Sequence, residues 1–465
     1  MILLVHSNYL AHDPKQQAKM RPYSPLSTLL AAALLRRAGH QVALFDATFA
    51  DGVPAFEAML DVTNPSVVVV MEDNFNFLTK MCTTVRRESA LAMIRAAAAR
   101  GCRVAANGPD VSDAPTLYLS AGADAIVLGE GEMALLDLVQ HWERGIGELE
   151  SLRGLILPAI GGVRTTPPRP ALQDLDSLPL PAWDLLDVAA YRDAWRPAHQ
   201  EFSWNIATSR GCPYSCNWCA KPTFGRRYTA RSPEDVAREM LRLKFEVAPD
   251  HLWFTDDILG LDVDWVVAFA AEVVRADAVI PFTMQSRVNL MTEKSVAALA
   301  KAGAREVWLG IESGSQKILD AMDKGTTVDA ARSATRLLQA HGIKACWFIQ
   351  LGYPSETWED LISTRDLIRE EAPDDIGVSV SYPLPGTEFY DRVRTQLGRQ
   401  RNWKDTGDLA MLFQGTYDSA LYRRVRDVLH AEVTSGLRDD AVWERLEEQA
   451  ELHRSPQPFQ LALRA

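Results

Sequence analysis

Along the first 145 residues, short β-branched runs alternate with longer stretches of helical periodicity, the pattern of a parallel sheet covered by helices. Residues 2–5, 41–45, 66–71, 103–107 and 125–128 predict five strands. Between the first two, residues 27–38 predict an Ala/Leu-rich helix closed by Arg36, Arg37 and Gly39. Terminal cations suit the helix dipole and the glycine suits a stop. Residues 90–100 predict a second helix. Five strands with crossover helices describe a doubly wound, Rossmann-like domain over 1–145, whose ligand crevice lies beyond the carboxyl ends of its strands. Those ends carry Ser7 and Asn8, Glu72 and Asn74, Asn107 and Gly108, and the turn Gly129-Glu130-Gly131-Glu132. No G-x-G-x-x-G follows the first strand, which disfavours a nicotinamide or flavin dinucleotide.

From 146 to 200 the periodicity fades and prolines accumulate, among them Pro158, Pro167, Pro168, Pro170, Pro179, Pro181 and Pro197. Each removes a backbone donor and pushes its predecessor out of the helical region, so this stretch reads as an extended connector. Alternation then resumes. Residues 204–208, 251–254, 282–285, 306–309, 345–351 and 377–381 predict strands; 233–247, 263–275, 295–302, 316–322, 330–340 and 357–370 predict helices. Six such units over 201–395 describe a partial (β/α)6 TIM-type barrel, with its reactive face in the loops after the strands. Residues 396–465 are charged and helical and read as a small C-terminal cap. The fold class is α/β.

Composition narrows the function. Charged residues make up 24% of 465, with a formal net charge of −12, which argues against binding to a nucleic-acid backbone. No stretch reaches the roughly 18 apolar residues of a membrane span, and Met1-Ile2-Leu3-Leu4-Val5 is too short for a signal-peptide core. A cytoplasmic protein is expected. Six cysteines make no disulfide scaffold.

Three of the six fall within Ser209-Arg210-Gly211-Cys212-Pro213-Tyr214-Ser215-Cys216-Asn217-Trp218-Cys219, spaced C-x3-C-x2-C. Three thiolates on one loop can converge on one metal centre. A structural zinc site would want a fourth Cys or His at matched spacing, and the next histidine, His251, lies past a predicted helix. Cys212, Cys216 and Cys219 therefore suit a 4Fe–4S cluster with one iron left open.

This motif, on the loop after the first barrel strand, resembles that of the radical S-adenosylmethionine (SAM) superfamily. The resemblance implies that the open iron chelates SAM and that reductive cleavage yields a 5′-deoxyadenosyl radical. Trp218 would lie against the adenine. Phe254-Thr255-Asp256-Asp257 resembles the family's acidic turn, and Gln285-Ser286-Arg287-Val288-Asn289 ends the third strand, where the family makes polar cofactor contacts. Gly310-Ile311-Glu312-Ser313-Gly314-Ser315 is similar to G-x-E-S-G-S and assigns Glu312 to SAM. Segments Leu351-Gly352-Tyr353-Pro354 and Tyr382-Pro383-Leu384-Pro385-Gly386-Thr387 resemble the fifth- and sixth-strand motifs. SAM contacts are thus implied for Trp218, Asp256, Ser286, Arg287, Glu312, Ser313, Gly352 and Pro385.

A doubly wound domain ahead of such a barrel resembles the cobalamin-dependent subfamily. Val127-Leu128-Gly129-Glu130-Gly131-Glu132 matches its G-E-G-E turn, and the segment from Leu175 to Leu186 its connector. The resemblance implies a corrin held near Ser7, Asn8, Glu72, Asn74, Asn107, Gly108, Gly129, Glu130 and Gly131. No histidine has the D-x-H-x-x-G context of a lower cobalt ligand. A methylthiotransferase would need three further cysteines ahead of the barrel, where only Cys82 and Cys102 stand. Cys346, inside a barrel strand, is a candidate for meeting a radical intermediate if it faces the interior.

The expected activity is methylation of an unactivated carbon through the 5′-deoxyadenosyl radical and methylcobalamin. A cyclase, ring-contraction or other rearrangement enzyme using the same cofactors is the second expectation, and a non-catalytic corrinoid or redox sensor the third. The resemblance implies a flavodoxin or ferredoxin as electron donor. The substrate is a small molecule whose class the residues do not identify.

Overall fold

The run Ile2-Leu3-Leu4-Val5 forms β1 (Ile2–Val5), with every residue buried, as expected of a parallel strand covered on both faces. In the computed structural model, which describes residues 1–76, 79, 81, 83–145, 148–219 and 224–452, β2 (Val42–Phe45), β3 (Val67–Met71), β4 (Arg103–Asn107) and β5 (Ala125–Val127) follow. All five predicted strands are present and parallel. Helices Leu26–Arg37, Val53–Thr63, Thr84–Ala99 and Glu132–Arg144 accompany them.

The sheet does not stop there. Two further strands, β6 (Leu155–Ala159) and β7 (Gly162–Thr165), extend it to the order β2-β1-β3-β4-β5-β6-β7. Both are antiparallel additions, with Ile156 opposite Ile126 and Thr165 opposite Ile156. Only Leu155, Ile156 and Leu157 of the pair are buried, and all of β7 is exposed, so the hairpin carries almost no hydrophobic pattern. That is why 146–200 reads as pure connector. Within the same stretch, Val188–His199 is a helix, started by Asp187, whose carboxylate accepts from the Ala189 and Ala190 amides at 3.1 and 3.2 Å.

By internal contacts the chain falls into two units: Met1–Cys212 with Lys221–Thr255 and Asn402–Gly407, and Pro213–Ala220 with Asp256–Arg401 and Asp408–Ala465. The first also holds β8 (Ser203–Ile206), β9 (Ser209–Arg210), β10 (Thr229–Ala230) and β11 (His251–Phe254). β8 and β11 pair in parallel, with Ser203 beside His251, while β9 and β10 form a short antiparallel hairpin.

In the second unit β12 (Phe282–Ser286), β13 (Ala304–Glu312), β14 (Lys344–Leu351) and β15 (Asp375–Val380) run parallel in chain order. The helices Val263–Arg275, Glu293–Ala302, Val328–Ala340 and Trp358–Glu371 alternate with them. The register of β13 on β14 shifts between Gly310 and Glu312, where Glu312 adopts φ 68°. The tail is less helical than expected. Its helices begin only at Ser419 (Ser419–Ser435 and Asp440–Leu452), because the preceding apolar residues Leu409, Leu412, Phe413 and Tyr417 are buried as irregular chain. Arg369 forks onto Glu432 at 2.6 and 2.8 Å and ties the tail to helix Trp358–Glu371. Among the described residues no helix is long and apolar enough to cross a membrane.

Candidate functional site

The cysteine loop is held by its backbone and by Asn217, a residue no motif singled out. The Asn217 side chain donates to Ala321 O at 2.9 Å and to Asp323 Oδ2 at 2.8 Å, and accepts from the Tyr353 hydroxyl at 2.8 Å. Its amide donates to Met322 O and its carbonyl accepts from the Phe389 amide. Five bonds on one asparagine between Cys216 and Trp218 leave the loop little freedom. A polar residue enclosed by Cys and Trp in the sequence is the one signal that could have pointed to it.

Beside the loop, Arg287 donates from Nη1 to Cys216 Sγ at 3.4 Å. Its guanidinium lies 3.8 Å from the centre of the Tyr214 ring, and its Nη2 donates to the Lys324 carbonyl. Lys324 in turn reaches Glu312, Nζ to Oε1 at 2.7 Å, with both side chains 6% exposed. The ammonium stands 5.9 Å from the centre of the Trp218 ring. So Arg287, Trp218 and Glu312, expected from three separate motifs, are joined through Lys324, which sequence reasoning passed over. Glu312 holds its left-handed φ without being glycine, a conformation that is strained for such a residue and recurs at functional positions.

The other expected SAM residues divide. Asp256 is wholly buried at the start of the second unit's chain, and its carbonyl accepts from Gln285 Nε2 at 2.6 Å. Ser286 spends its hydroxyl proton on Leu259 O at 2.8 Å. Ser313 faces helix Trp358–Glu371: its Oγ meets Thr364 Oγ1 at 3.2 Å and accepts from the Ser315 amide. Gly352 has φ 77°, and a Cβ there would stand 2.8 Å from Met411 Cε, so its missing side chain makes room for the tail. Its amide donates to Glu356 Oε2 at 2.7 Å. Pro385 is half-buried in the turn before Glu388.

In the first unit the expected corrin residues gather at the carboxyl ends of β1, β3, β4 and β5. The Ser7 amide donates to Glu72 Oε1 at 3.1 Å, and Asn74 Nδ2 to Asn107 Oδ1 at 3.0 Å. Asn107 Nδ2 donates to Val127 O at 2.8 Å. Burial pushes the Glu72 and Asp73 carboxyls up. Gly108 and Gly131 are crowded by protein, a Cβ on either lying 2.8–2.9 Å from Glu72 or Asn107 side-chain atoms, whereas Gly129 opens on free space. Only the last therefore leaves room for a large ligand to approach the backbone closely. Glu130 Oε2 accepts from Arg210 Nη1 at 3.0 Å. His6 has both nitrogens engaged, Nε2 with Asp46 at 2.9 Å and Nδ1 with the Asn8 amide at 3.2 Å.

Cys346 is buried in a strand of the second unit. It is the third residue of β14, near the strand's amino end, 1% exposed, and burial pushes its thiol far up. Cys102 donates its thiol to Pro65 O at 3.2 Å. Cys82 lies outside the described residues.

The donor set fits an iron–sulfur cluster. Cys212, Cys216 and Cys219 are in no disulfide among the described residues; their sulfurs are soft ligands of the kind such clusters take, and a cation already neighbours one of them. Among the described residues no three Cys, His or carboxylate side chains stand gathered as a metal site, so the fit rests on ligand type and loop anchoring. SAM fits through the buried Glu312–Lys324 pair and the Trp218 Nε1, a buried donor without a partner among the described residues. A corrin with amide side chains fits the Asn74 Oδ1, a buried acceptor likewise without a partner.

Residues 206–368 match the family model of the radical SAM superfamily. Over those residues the chain carries a radical SAM domain. The chain superposes on the radical S-adenosylmethionine methyltransferase TsrM of Kitasatospora setae, solved with cobalamin and a [4Fe-4S] cluster, with a TM-score of 0.68 and 21% identity. That match covers 85% of this chain and 75% of TsrM. An uncharacterised methyltransferase of Pyrococcus horikoshii is 31% identical over 65% of this chain and 65% of its own length. The anaerobic magnesium-protoporphyrin IX monomethyl ester cyclase of Rubrivivax gelatinosus is 29% identical over 58% of this chain and 49% of its own. The chain thus spans 65% and 49% of the lengths of these two relatives.

Proposed function

We propose that this chain is a cobalamin-dependent radical SAM methyltransferase acting on an unactivated carbon of a small molecule. The observation that carries the reading is the pinned cysteine loop joined through Arg287 and Lys324 to Glu312, in a chain that also has the expected five parallel strands in its first unit. Cofactors of this kind, when bound, supply one-electron cleavage of a sulfonium and a transferable methyl group.

The protein's own residues do the rest. Cys212, Cys216 and Cys219 would ligate iron, with the Arg287 guanidinium donating to Cys216 Sγ at 3.4 Å. Asn217 keeps the loop from relaxing. Glu312 would orient the cationic amino group of SAM, Lys324 its carboxylate, and Trp218 would offer its ring to the adenine, with Asp256 and Ser286 near the same strand ends. The apolar cluster of Ile318, Met322, Tyr353, Phe389 and Phe413 against Trp218 keeps water from that side. In the first unit Ser7, Asn8, Glu72, Asn74, Asn107, Gly129 and Glu130 would hold the corrin, while Gly108 and Gly131 make room for the Glu72 and Asn107 side chains. With both His6 nitrogens occupied, no protein imidazole on that strand end is offered to cobalt. An external flavodoxin or ferredoxin would supply electrons, and free thiols fit a reducing, cytoplasmic setting.

Incubation with SAM carrying a deuterated methyl group tests the reading. Product that gains the labelled methyl supports it; turnover that leaves every product unlabelled overturns it. The likeness to the Rubrivivax cyclase favours a second reading, ring formation with the same cofactors. It would show as 5′-deoxyadenosine released without S-adenosylhomocysteine.

A further inference from the structure

The residue two before the first cluster cysteine is gripped from several sides. Arg210 forks onto Glu132, Nη2 to Oε1 at 2.8 Å and Nη1 to Oε2 at 3.2 Å, and reaches Glu130 Oε2 at 3.0 Å. The side chains of Arg210 and Glu132 are 4% and 2% exposed. The guanidinium lies over the Phe75 and Phe224 rings at 5.6 and 5.5 Å. Glu130 and Glu132 belong to the G-E-G-E turn after β5, so one carboxylate pair at the end of the first domain's parallel strands grips the residue that opens the cysteine loop.

The chain on either side of this grip is equally fixed. The Arg210 backbone pairs with Thr229 in the β9–β10 hairpin. Gly211 sits at φ 80°, and a Cβ there would overlap the Arg227 carbonyl oxygen. The Cys212 amide donates to Gly225 O at 3.4 Å. A two-residue strand cannot hold its own register; the buried fork does, since a bidentate guanidinium–carboxylate pair fixes direction as well as distance. A buried pair of this kind is weak as a source of stability and best attested as a device for specifying one arrangement.

We propose that Glu130 and Glu132 are positioning residues for the iron–sulfur cluster, acting through Arg210 to present Cys212, rather than serving the corrin alone. The inference rests on the cluster reading above. It makes the G-E-G-E turn a part of the cysteine loop's mounting, so that the first domain contributes to cluster assembly before any cobalamin is present.

The test uses the full chain, reconstituted anaerobically with iron and sulfide, as wild type and as Glu132→Gln, Arg210→Met and Arg210→Lys. Iron content, the EPR spectrum of the reduced protein without SAM, and binding of hydroxocobalamin by absorbance are measured on each. Loss of a residue that orients a metal ligand weakens the site by roughly tenfold. Glu132→Gln and Arg210→Met are therefore expected to retain about a tenth of the cluster under limiting iron and to show altered EPR lines, while hydroxocobalamin binds as in wild type. Arg210→Lys, which keeps the charge but not the fork, should fall between. Wild-type iron content and lines in the variants would overturn the proposal, as would loss of cobalamin binding with the cluster intact. Should Arg210→Met fail to fold, Arg210→Lys and Glu132→Gln decide by the same readouts. A wild type that assembles no cluster defeats the functional reading itself, a distinct result.

Discussion

Glu356 is a carboxyl with nowhere to put a charge. It is wholly buried after β14, and burial pushes it from 4.5 up to about 8, with the nearby Asp360 adding to the effect and the Gly352 amide at 2.7 Å opposing it. Lifting a carboxyl over that interval disfavours its ionised form by about 1.4 kcal/mol per pH unit, so roughly 4–5 kcal/mol in all. Below about pH 4.5 the group is protonated in folded and unfolded chains alike and adds no pH dependence. Between about pH 4.5 and 8 the folded chain keeps a proton that the unfolded chain has released, so stability falls as pH rises, and the full loss is reached above the folded value. Glu356→Gln preserves shape and an acceptor for the Gly352 amide but removes the titration. Urea midpoints of the reduced apoprotein, taken near pH 5, 7 and 8.5, should nearly coincide for wild type and variant at the lowest value. At the highest, the variant should be the more stable by about 3–4 kcal/mol. Asp113, pushed up to about 7 by burial and Asp110, titrates in the same direction in both proteins and cancels in the difference. Parallel pH curves for the two proteins would show that Glu356 is not held protonated in the fold.

Gly211→Ala should leave the protein unable to assemble its cluster, read as iron per chain, because the added methyl would overlap Arg227 O and backbone cannot yield as a side chain can. Lys324→Met leaves the buried Glu312 carboxylate without its cation, and SAM binding followed by equilibrium dialysis should weaken by about tenfold or more while the cluster's absorption stays. Tyr353→Phe removes one bond to Asn217 and should lower stability by about 1 kcal/mol in urea unfolding; Asn217→Ala, which frees the loop, should reduce iron content as well. Cys346→Ala should leave turnover per cluster unchanged and cost about 1–2 kcal/mol of stability, since the thiol only fills the core.

Much of this arrangement is legible in the chain because its strands are buried on both faces and therefore spell continuous apolar runs. The run at 67–71 is Val-Val-Val-Val-Met, wholly buried; no turn or helix competes for it. The β6–β7 hairpin escapes because three buried residues followed by Pro158 and a polar, exposed strand carry no period. The irregular tail before Ser419 escapes for the opposite reason: it is apolar enough to be packed, yet its packing follows Gly352 and Met411 rather than a helical repeat. At the site, motif residues could be read because cysteine spacing and a glutamate beside small residues are chemical signals in one dimension. Asn217, Lys324 and Arg210 are ordinary polar residues along the chain. Their importance comes from partners 104, 12 and 78 positions away, and such pairings exist only after folding. Ser313 and Gly352 show the converse, since a motif marks them and the fold uses them for packing against Thr364 and Met411.

The most direct measurement is the electron paramagnetic resonance of anaerobically reconstituted, dithionite-reduced protein, recorded before and after SAM is added. A 4Fe–4S signal that changes when SAM is present, and that disappears in Cys216→Ala, is the expected result. Zinc bound at the cysteine loop, or a reduced cluster whose lines are indifferent to SAM, would contradict it.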